Sequence, residues 1–365
     1  MKVAYLALSE KFGDPHAGFV HTHEMARAIA RKGVKIKLLI QKGDTKTKPS
    51  VETIFLPARG ASKYFFYKKI IEPEIADCDL VHERFHANPV TLGMIKNRKY
   101  VLEVNDPGIV KGEIKGRLYS YLIGKKLRRA DAIITQTSTL KSILEKKTNR
   151  PIFVVPNGVD TSRFRPGIKS DIRERLGIKK GDILIAYAGS FREWHGVEQI
   201  PYIASRILRK HSNVRVVLIG EGMLFDRTKA ACKGEKNIMF TGGIAYNELP
   251  EYLSASDVLI APFDVSGYRP MEKYGFWWCP VKLFEYMASG RPVVSYDFPE
   301  VRKIVRDAGL LAGPGDVDGF SEKLTELIKD RSLRERLGRR ARAIAEEYDW
   351  KKRARSIITI YNKLV

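Results

Sequence analysis

Lys282 and Glu285 stand one helical turn apart inside an otherwise apolar run, CPVKLFEYMASGRPVVSYD, residues 279–297. Leu283, Phe284, Met287 and Ala288 recur there at the three- and four-residue spacing of a buried helix face. An acid in such a face must be paired, solvated in a cleft or bound to something. A surface ion pair at i,i+3 is one reading, and a ligand site is the other. A second polar group closes the run VLEVNDPG, 101–108, where Glu103, Asn105 and Asp106 fall at a strand end. An Asp-Pro turn would account for Asp106 without any ligand. His16, His21 and His23 cluster in one stretch, but His21 and His23 cannot share a helix face, so a metal triad is disfavoured. The triplets Asp77-Cys78-Asp79 and Asp316-Val317-Asp318 read as a strand start and a helix cap, and no phosphate-loop signature is present, so no metal and no phosphoryl transfer are expected.

The elements that must position these groups alternate. In the first half, strands are expected at 2–8, 34–40, 80–82, 100–104, 132–135 and 152–155, with helices at 17–32, 88–98, 113–129 and 138–146. The second half restarts with strands at 183–188, 214–219, 238–240, 258–261 and 293–296 and helices at 197–210, 223–233, 247–255 and 318–329. Pro280 suits a first helical turn and Gly290 a left-handed closing residue, so a helix spans about 280–289. The stretch 264–278 reads as an aromatic, irregular loop. From 348 to 365 an amphipathic helix turns Ile357, Ile358 and Tyr361 inward. Such alternation predicts α/β units with parallel sheets, whose ligands bind at the carboxyl ends of the strands.

At 365 residues the chain exceeds one ordinary core, so two domains are expected. No apolar run approaches the roughly 18 residues of a membrane span, and MKVAYLALSE enters a strand with no signal-peptide pattern. Cys78, Cys232 and Cys279 lack metal or disulfide spacing, which points to a reduced, cytoplasmic setting. The net charge is +23, and residues 1–170 hold 32 Lys and Arg against 16 Asp and Glu, or +16 of it. A basic first half attracts anions, with Lys125, Lys126, Arg128 and Arg129, and Lys68 and Lys69 beside Tyr64, Phe65, Phe66 and Tyr67, as the strongest clusters. A solvated lysine-rich face is the competing reading. Nucleic acid is disfavoured as a partner, because charge alone would support it and no reading motif accompanies the charge.

The run KLFEYMASGRPVV resembles a helix of the retaining, GT-B-fold glycosyltransferases of family 4. In that family the second Glu of an E-x7-E motif holds the donor ribose, and it falls on Glu285. Trp277 stands where the first Glu would be. Family variants with a Pro-x-Lys-Leu-Phe-Glu run are closer to this chain. VPNGVDTSRFRP, 155–166, is a second match, with Asn157-Gly158 as a tight turn in the passage between domains. AGSFREWHGVEQI, 188–200, keeps Gly189 and Gly196 of a diphosphate-binding arrangement, with Ser190 for its Arg and His195 for its Lys. Arg192 is then the residue to take over the charge, and a diphosphate beside His195 would raise its pKa. FTGGIAY places Gly243, Ile244 and Tyr246 near the base. Ala17-Gly18 stands for a Gly-Gly pair, with the Gly18 N–H open to a phosphate, and Asn105-Asp106 stands for a His-Asp pair near the donor sugar.

The resemblance implies a GT-B protein of two Rossmann-like, doubly wound domains facing a cleft. Residues 1–155, with about 350–365 crossing back as a helix, form the acceptor-side domain, and 156–349 form the nucleotide-sugar domain. The implied reaction moves a sugar with retention from a nucleotide-diphosphate sugar, a UDP- or GDP-sugar, to a hydroxyl of a glycan, lipid-linked or small-molecule acceptor. The basic first half marks that acceptor as anionic or membrane-bound and the protein as cytoplasmic or peripheral at the inner membrane surface. Asn105, Asp106, Arg192 and Lys282 are the expected catalytic residues. Gly18, His195, Gly243, Ile244 and Glu285 are expected to bind the donor, with no required cofactor or metal. The alternative is a catalytically silent GT-B protein that binds a nucleotide or an anionic partner, which Trp277, Ser190 and His195 favour.

Overall fold

The structure, a computed structural model, describes residues 1–14, 16–43, 48–57, 63–95, 97–107 and 113–365. Gly108 and the side chains of Tyr64 and Phe65 lie outside the described set. The chain divides into two compact units, one of residues 1–158, 277–279 and 350–365, the other of 159–276 and 280–349.

Among the described residues the first unit has seven strands: β1 (Lys2–Lys11), β2 (Lys35–Gln41), β3 (Glu52–Leu56), β4 (Leu80–Arg84), β5 (Lys99–Val104), β6 (Ala132–Thr135) and β7 (Ile152–Val154). They form one parallel sheet in the order β3-β2-β1-β4-β5-β6-β7. The central strands are almost wholly buried, as Val3 to Leu8 and Leu38 to Ile40 show, because helices cover both faces of a parallel sheet. The second unit has β8 (Ile183–Ala188), β9 (Val214–Ile219), β10 (Ile238–Gly242), β11 (Val258–Ala261), β12 (Val293–Tyr296) and β13 (Gly309–Ala312), in the parallel order β10-β9-β8-β11-β12-β13. In each sheet the strand order reverses once, between β1 and β4 and between β8 and β11. Crevices outside the carboxyl ends at such reversals are where doubly wound sheets bind ligands.

Several elements depart from the sequence expectation. β1 runs on to Lys11, so Glu10 belongs to the strand and not to a loop. The half-exposed β3, the edge strand β13 and the helices Lys63–Ile75, Pro299–Val305 and Arg331–Glu347 were not expected. The last is so charged that its apolar stripe of Leu337, Ala341, Ile344 and Ala345 is narrow. The stretch read as an irregular loop contains the helix Arg269–Tyr274. On the final helix, Trp350–Asn362, Ile360 is buried with Ile357 and Tyr361, and Ile358 is only partly covered. Asn157-Gly158 is not a tight turn: Gly158 has no positive φ, and the Asn157 side chain is buried and spent on tertiary bonds. Its Nδ2 donates to the Cys279 carbonyl at 2.5 Å, and its Oδ1 lies 2.7 Å from His21 Nδ1.

The first unit is organised around a fully buried carboxylate, Glu103 on β5. Tyr5 on β1 donates to Oε2 at 2.8 Å, Arg84 on β4 donates to Oε1 at 2.7 Å, and Gln136 after β6 donates to Oε1 at 3.0 Å. His21 Nε2, from the helix Ala17–Ala30, is 2.9 Å from Oε1. Burial alone would push this carboxyl up, but His21 and Arg84 together hold it well below the usual carboxylate range. His82 on β4 stacks on Tyr5 at 4.5 Å, and its Nδ1 is 2.6 Å from the hydroxyl of Tyr361 on the final helix. Burial lowers the His82 pKa to about 4, against the pull of Glu103.

His82 is therefore neutral when folded at pH values where the unfolded chain, with an ordinary histidine near 6.5, takes up a proton. Stability should fall as pH drops from about 6.5 to about 4, by up to about 3 kcal/mol from this residue, and flatten below that. Urea unfolding of the wild type and His82→Gln across pH 4–7 checks this. An equally steep loss in the variant would remove His82 as the cause.

Candidate functional site

The reversal in the second sheet collects most of the expected site residues. β8 ends at Ala188 and its loop carries Gly189, Ser190, Arg192 and His195; the helix Val281–Ala288 lies between β11 and β12 and carries Lys282 and Glu285. The apolar positions Leu283, Phe284, Met287 and Ala288 of that helix are all buried, and Gly290 closes it at φ 70°, as the spacing predicted. Lys282 and Glu285 do not pair with each other. The Lys282 ammonium donates to no carboxylate among the described residues; it donates to the Tyr187 hydroxyl at 3.1 Å and lies 4.4 Å from the Tyr187 ring centre and 5.7 Å from that of Phe263. A Cβ at Gly189 would come within 2.2 Å of Nζ, so only glycine leaves the ammonium its place. Burial lowers the Lys282 pKa to about 7, with Glu285 pulling weakly the other way.

His195 sits on the same hydroxyl, with Nδ1 3.4 Å from Tyr187 Oη and 2.6 Å from the Ser190 carbonyl. A carbonyl only accepts, so the proton of a neutral ring is on Nδ1. Burial first, then Lys282 and Arg192, drive the His195 pKa well below its usual value. The upward shift expected beside a diphosphate would therefore start from a ring held low by burial and by neighbouring cations. The Arg192 guanidinium lies 5.7 Å from the Trp194 ring and has no ion pair among the described residues. Glu285 is buried and accepts from the Tyr246 hydroxyl at 2.7 Å, which brings the loop after β10 to the helix. Gly243 and Ile244 lie in that loop, Gly243 exposed and Ile244 half-buried. Tyr187, the centre of the cluster, carried no signal in the sequence, since it reads as one more apolar residue of β8.

The first unit treats its expected residues differently. The Glu10 carboxylate lies against Gly18, with Oε2 2.2 Å from where a Cβ on Gly18 would be. Arg84 pins that carboxylate by donating Nε to Glu10 Oε1 at 3.0 Å while bonding Glu103 with another nitrogen. Asn105 is tied into the same cluster, its carbonyl accepting from Arg84 NH1 at 2.7 Å and its amide donating to Glu103 Oε1 at 3.0 Å in the orientation that satisfies both groups. Asp106 is half-buried and accepts from the Tyr119 hydroxyl at 3.1 and 3.0 Å. Asn105 and Asp106 therefore follow the end of β5, as expected, and are hydrogen-bonded within the unit. His21 is a structural partner of Glu103. Among the described residues no group of three His, Cys, Asp or Glu could hold a metal ion.

Trp277, at the place of the first motif carboxylate, is buried within the first unit, where Thr137 Oγ1 donates to its carbonyl at 2.7 Å. Phe276 is buried too, and Trp194 and Tyr268 pack with ring centres 4.7 Å apart, so much of this aromatic stretch is spent on packing. The basic clusters also divide. Lys126 is fully buried, 2.5 Å from Glu83, and Arg129 donates to the carbonyls of Ile95 and Arg98, so Lys125 and Arg128 alone of the four are exposed. Tyr67 is buried, while Phe66, Lys68 and Lys69 are exposed.

Residues 168–344 match the family of glycosyl transferases group 1, and residues 18–163 match glycosyltransferase family 4. A sulfoquinovosyl transferase of Arabidopsis thaliana is 28% identical over 53% of this chain and 36% of its own length, so the chain spans little more than a third of that relative. An uncharacterized glycosyltransferase of Methanocaldococcus jannaschii is 24% identical over 82% of this chain and 79% of its own. Among solved structures, Anabaena Alr3699/HepE in complex with UDP-glucose superposes over the whole of both chains with a TM-score of 0.81 at 16% identity. That likeness is one of fold, GT-B with two Rossmann-like units.

The exposed cost of the cation cluster is measurable without any ligand. Lys282 is protonated in the unfolded chain up to about pH 10.5 but in the folded chain only to about 7, so its penalty is full below 7 and fades as pH rises between these values. Lys282→Met should raise the thermal midpoint at pH 6 by a few degrees, roughly 1–2 kcal/mol, and by less at pH 9. A midpoint unchanged at both values would mean that the ammonium is well solvated.

Proposed function

The chain belongs to the glycosyltransferases of group 1 and family 4, and from that premise we propose that it transfers a sugar from a nucleotide-diphosphate sugar to a hydroxyl acceptor with retention of configuration. The observation that carries the proposal is the convergence of Lys282, Arg192 and His195 at the reversal of the second sheet, where neither Lys282 nor Arg192 has a carboxylate partner among the described residues. A diphosphate is the anion that such a cluster suits. Departure of a diphosphate from an oxocarbenium-like sugar calls for cations and N–H groups placed where negative charge develops, more than for a nucleophile. Lys282 and Arg192 neutralise the diphosphate in this reading, His195 joins them once the bound anion raises its pKa and protonates the ring, Glu285 accepts the ribose hydroxyls, and Gly243 and Ile244 border the base. Asn105 and Asp106 serve the sugar or the acceptor. The UDP-glucose held by the Anabaena protein makes UDP the first nucleotide to try, with GDP next.

For the acceptor, the helix Glu113–Arg129 supplies the supporting surface. Leu118 and Tyr121 are 59% and 56% exposed on it, in line with Arg117, Lys125 and Arg128, and the Lys125 ammonium lies 5.4 Å from the Tyr121 ring. Apolar side chains flanked by cations suit an anionic lipid surface, so the acceptor is membrane-bound and the protein peripheral. No helix among the described residues is long and apolar enough to cross a membrane.

Thermal stability measured with UDP, GDP and ADP in turn, then with the matching sugar nucleotides, tests the donor assignment. One nucleotide should stabilise the protein, and Glu285→Ala should raise the donor KM by about tenfold or more, the worth of a charge-assisted hydrogen bond. An unchanged KM in Glu285→Ala would count against the assignment. Binding without turnover across a broad acceptor panel would favour a silent protein, the reading that Trp277 in place of a carboxylate supports. Co-sedimentation with phosphatidylglycerol vesicles should occur at low salt, fade at high salt and weaken in the double variant Leu118→Ser, Tyr121→Ser; no sedimentation at low salt would reject the membrane-bound acceptor.

A further inference from the structure

Tyr187 is fully buried at the end of β8, yet its hydroxyl is the only hydrogen-bond partner of the Lys282 ammonium among the described residues. The direction of its bonds is fixed by chemistry. The hydroxyl has one proton, and a carbonyl cannot donate, so that proton goes to the Ser190 carbonyl 2.8 Å away. Its lone pairs are left to face Lys282 Nζ at 3.1 Å and His195 Nδ1 at 3.4 Å. His195 Nδ1 donates to the same Ser190 carbonyl at 2.6 Å, so one backbone oxygen and one phenol hold both the loop 189–196 and the lysine. Gly189, where a Cβ would meet Nζ at 2.2 Å, closes the other side. We infer that Tyr187 is a positioning residue for the anion site, its hydroxyl holding the Lys282 ammonium and the Ser190 carbonyl in the arrangement that receives a diphosphate.

This rests on the donor assignment above and adds a residue to it that touches no substrate. The charged and titratable groups that act on Lys282 are Glu285 on its own helix and Tyr187 and His195 from β8 and its loop; Arg192 acts on the same His195, Tyr286 on Tyr187, and Phe263, after β11, contributes only its ring. Tyr187 stays protonated, since burial raises its pKa well above the usual value. The phenol thus stabilises the ammonium and cannot take its proton. Without the hydroxyl, Lys282 would lose its one hydrogen-bond partner among the described residues, and the pKa of about 7 would fall further.

The test is nucleotide binding by calorimetry from pH 6 to pH 9 in the wild type, Tyr187→Phe, Lys282→Gln and the double variant, using UDP, GDP and ADP as probes. Tyr187→Phe should weaken the preferred nucleotide by about tenfold at pH 7, as loss of a hydrogen bond to a charged group does. The pH at which wild-type binding declines should move to lower values in Tyr187→Phe. In the Lys282→Gln background the same change should have little further effect, because the phenol acts through the lysine. A purely structural role would lower the thermal midpoint of Tyr187→Phe and leave the pH midpoint in place. Wild-type affinity and pH midpoint in a folded Tyr187→Phe, beside lost binding in Lys282→Gln, would overturn the inference while leaving the donor assignment standing. A wild type that binds none of the three nucleotides would overturn both.

Discussion

A carboxylate removed from water at the centre of a parallel sheet must be met by donors on every side, and Glu103 imposes that requirement on the first unit. Tyr5, Arg84, Gln136 and His21 meet it from two neighbouring strands, the segment after a third and the first helix. The demand spreads outward. His21 also faces Asn157, Asn157 holds the carbonyl of Cys279, and Tyr361 of the final helix bonds His82 beside the carboxylate. Arg84, held at one end by Glu103, has a nitrogen left to pin Glu10 over Gly18. Removing one partner of such a buried set leaves an uncompensated charge, at a cost of about 3–5 kcal/mol, and for that reason the positions of these elements are fixed together.

The second unit buries charge in the opposite manner. Among the described residues, Lys282 and Arg192 converge on His195 with no carboxylate bonded to either, and the protonation of the cluster follows: burial takes Lys282 to about 7 and drives His195 well below its usual value. A site with this imbalance gains most from an anion. Glu285 lies one turn farther along the same helix, bonded to Tyr246, and in the proposed reading it meets the hydroxyls of a nucleotide whose diphosphate lies at Lys282. Among the described residues, the Glu103 carboxylate of one unit is met internally, while the Lys282 and Arg192 cations of the other have no carboxylate bonded to them.

The helix that carries Lys282 and Glu285 begins at Val281, two residues after Cys279, whose carbonyl is held by Asn157. Trp277 is held in the same segment by Thr137. These bonds explain why the residue in the place of the first motif carboxylate is buried: the chain at 277–279 is part of the first unit's core.

Local pattern was enough for much of this. The apolar spacing of 283–288 and the left-handed Gly290 define the key helix, the alternation of strands and helices defines the α/β class, and the Asp316 cap, which accepts from Gly319 at 2.8 Å, is read from type and position alone. Each of these depends on residues within a few positions of one another. What the sequence could not decide was which polar groups would find partners. Glu103 has one donor close by in the chain, Asn105, yet its other donors come from residues 5, 21, 84 and 136, and nothing local distinguishes Tyr187 from its apolar neighbours on β8. Lys126 reads as part of a basic patch and is buried on Glu83; Lys282, for which the spacing left open both a pair with Glu285 and a ligand site, meets a phenol. Burial and the identity of a charge's nearest neighbour are set by how distant segments pack, and those two quantities decide whether a lysine is solvated, paired or held ready for an anion.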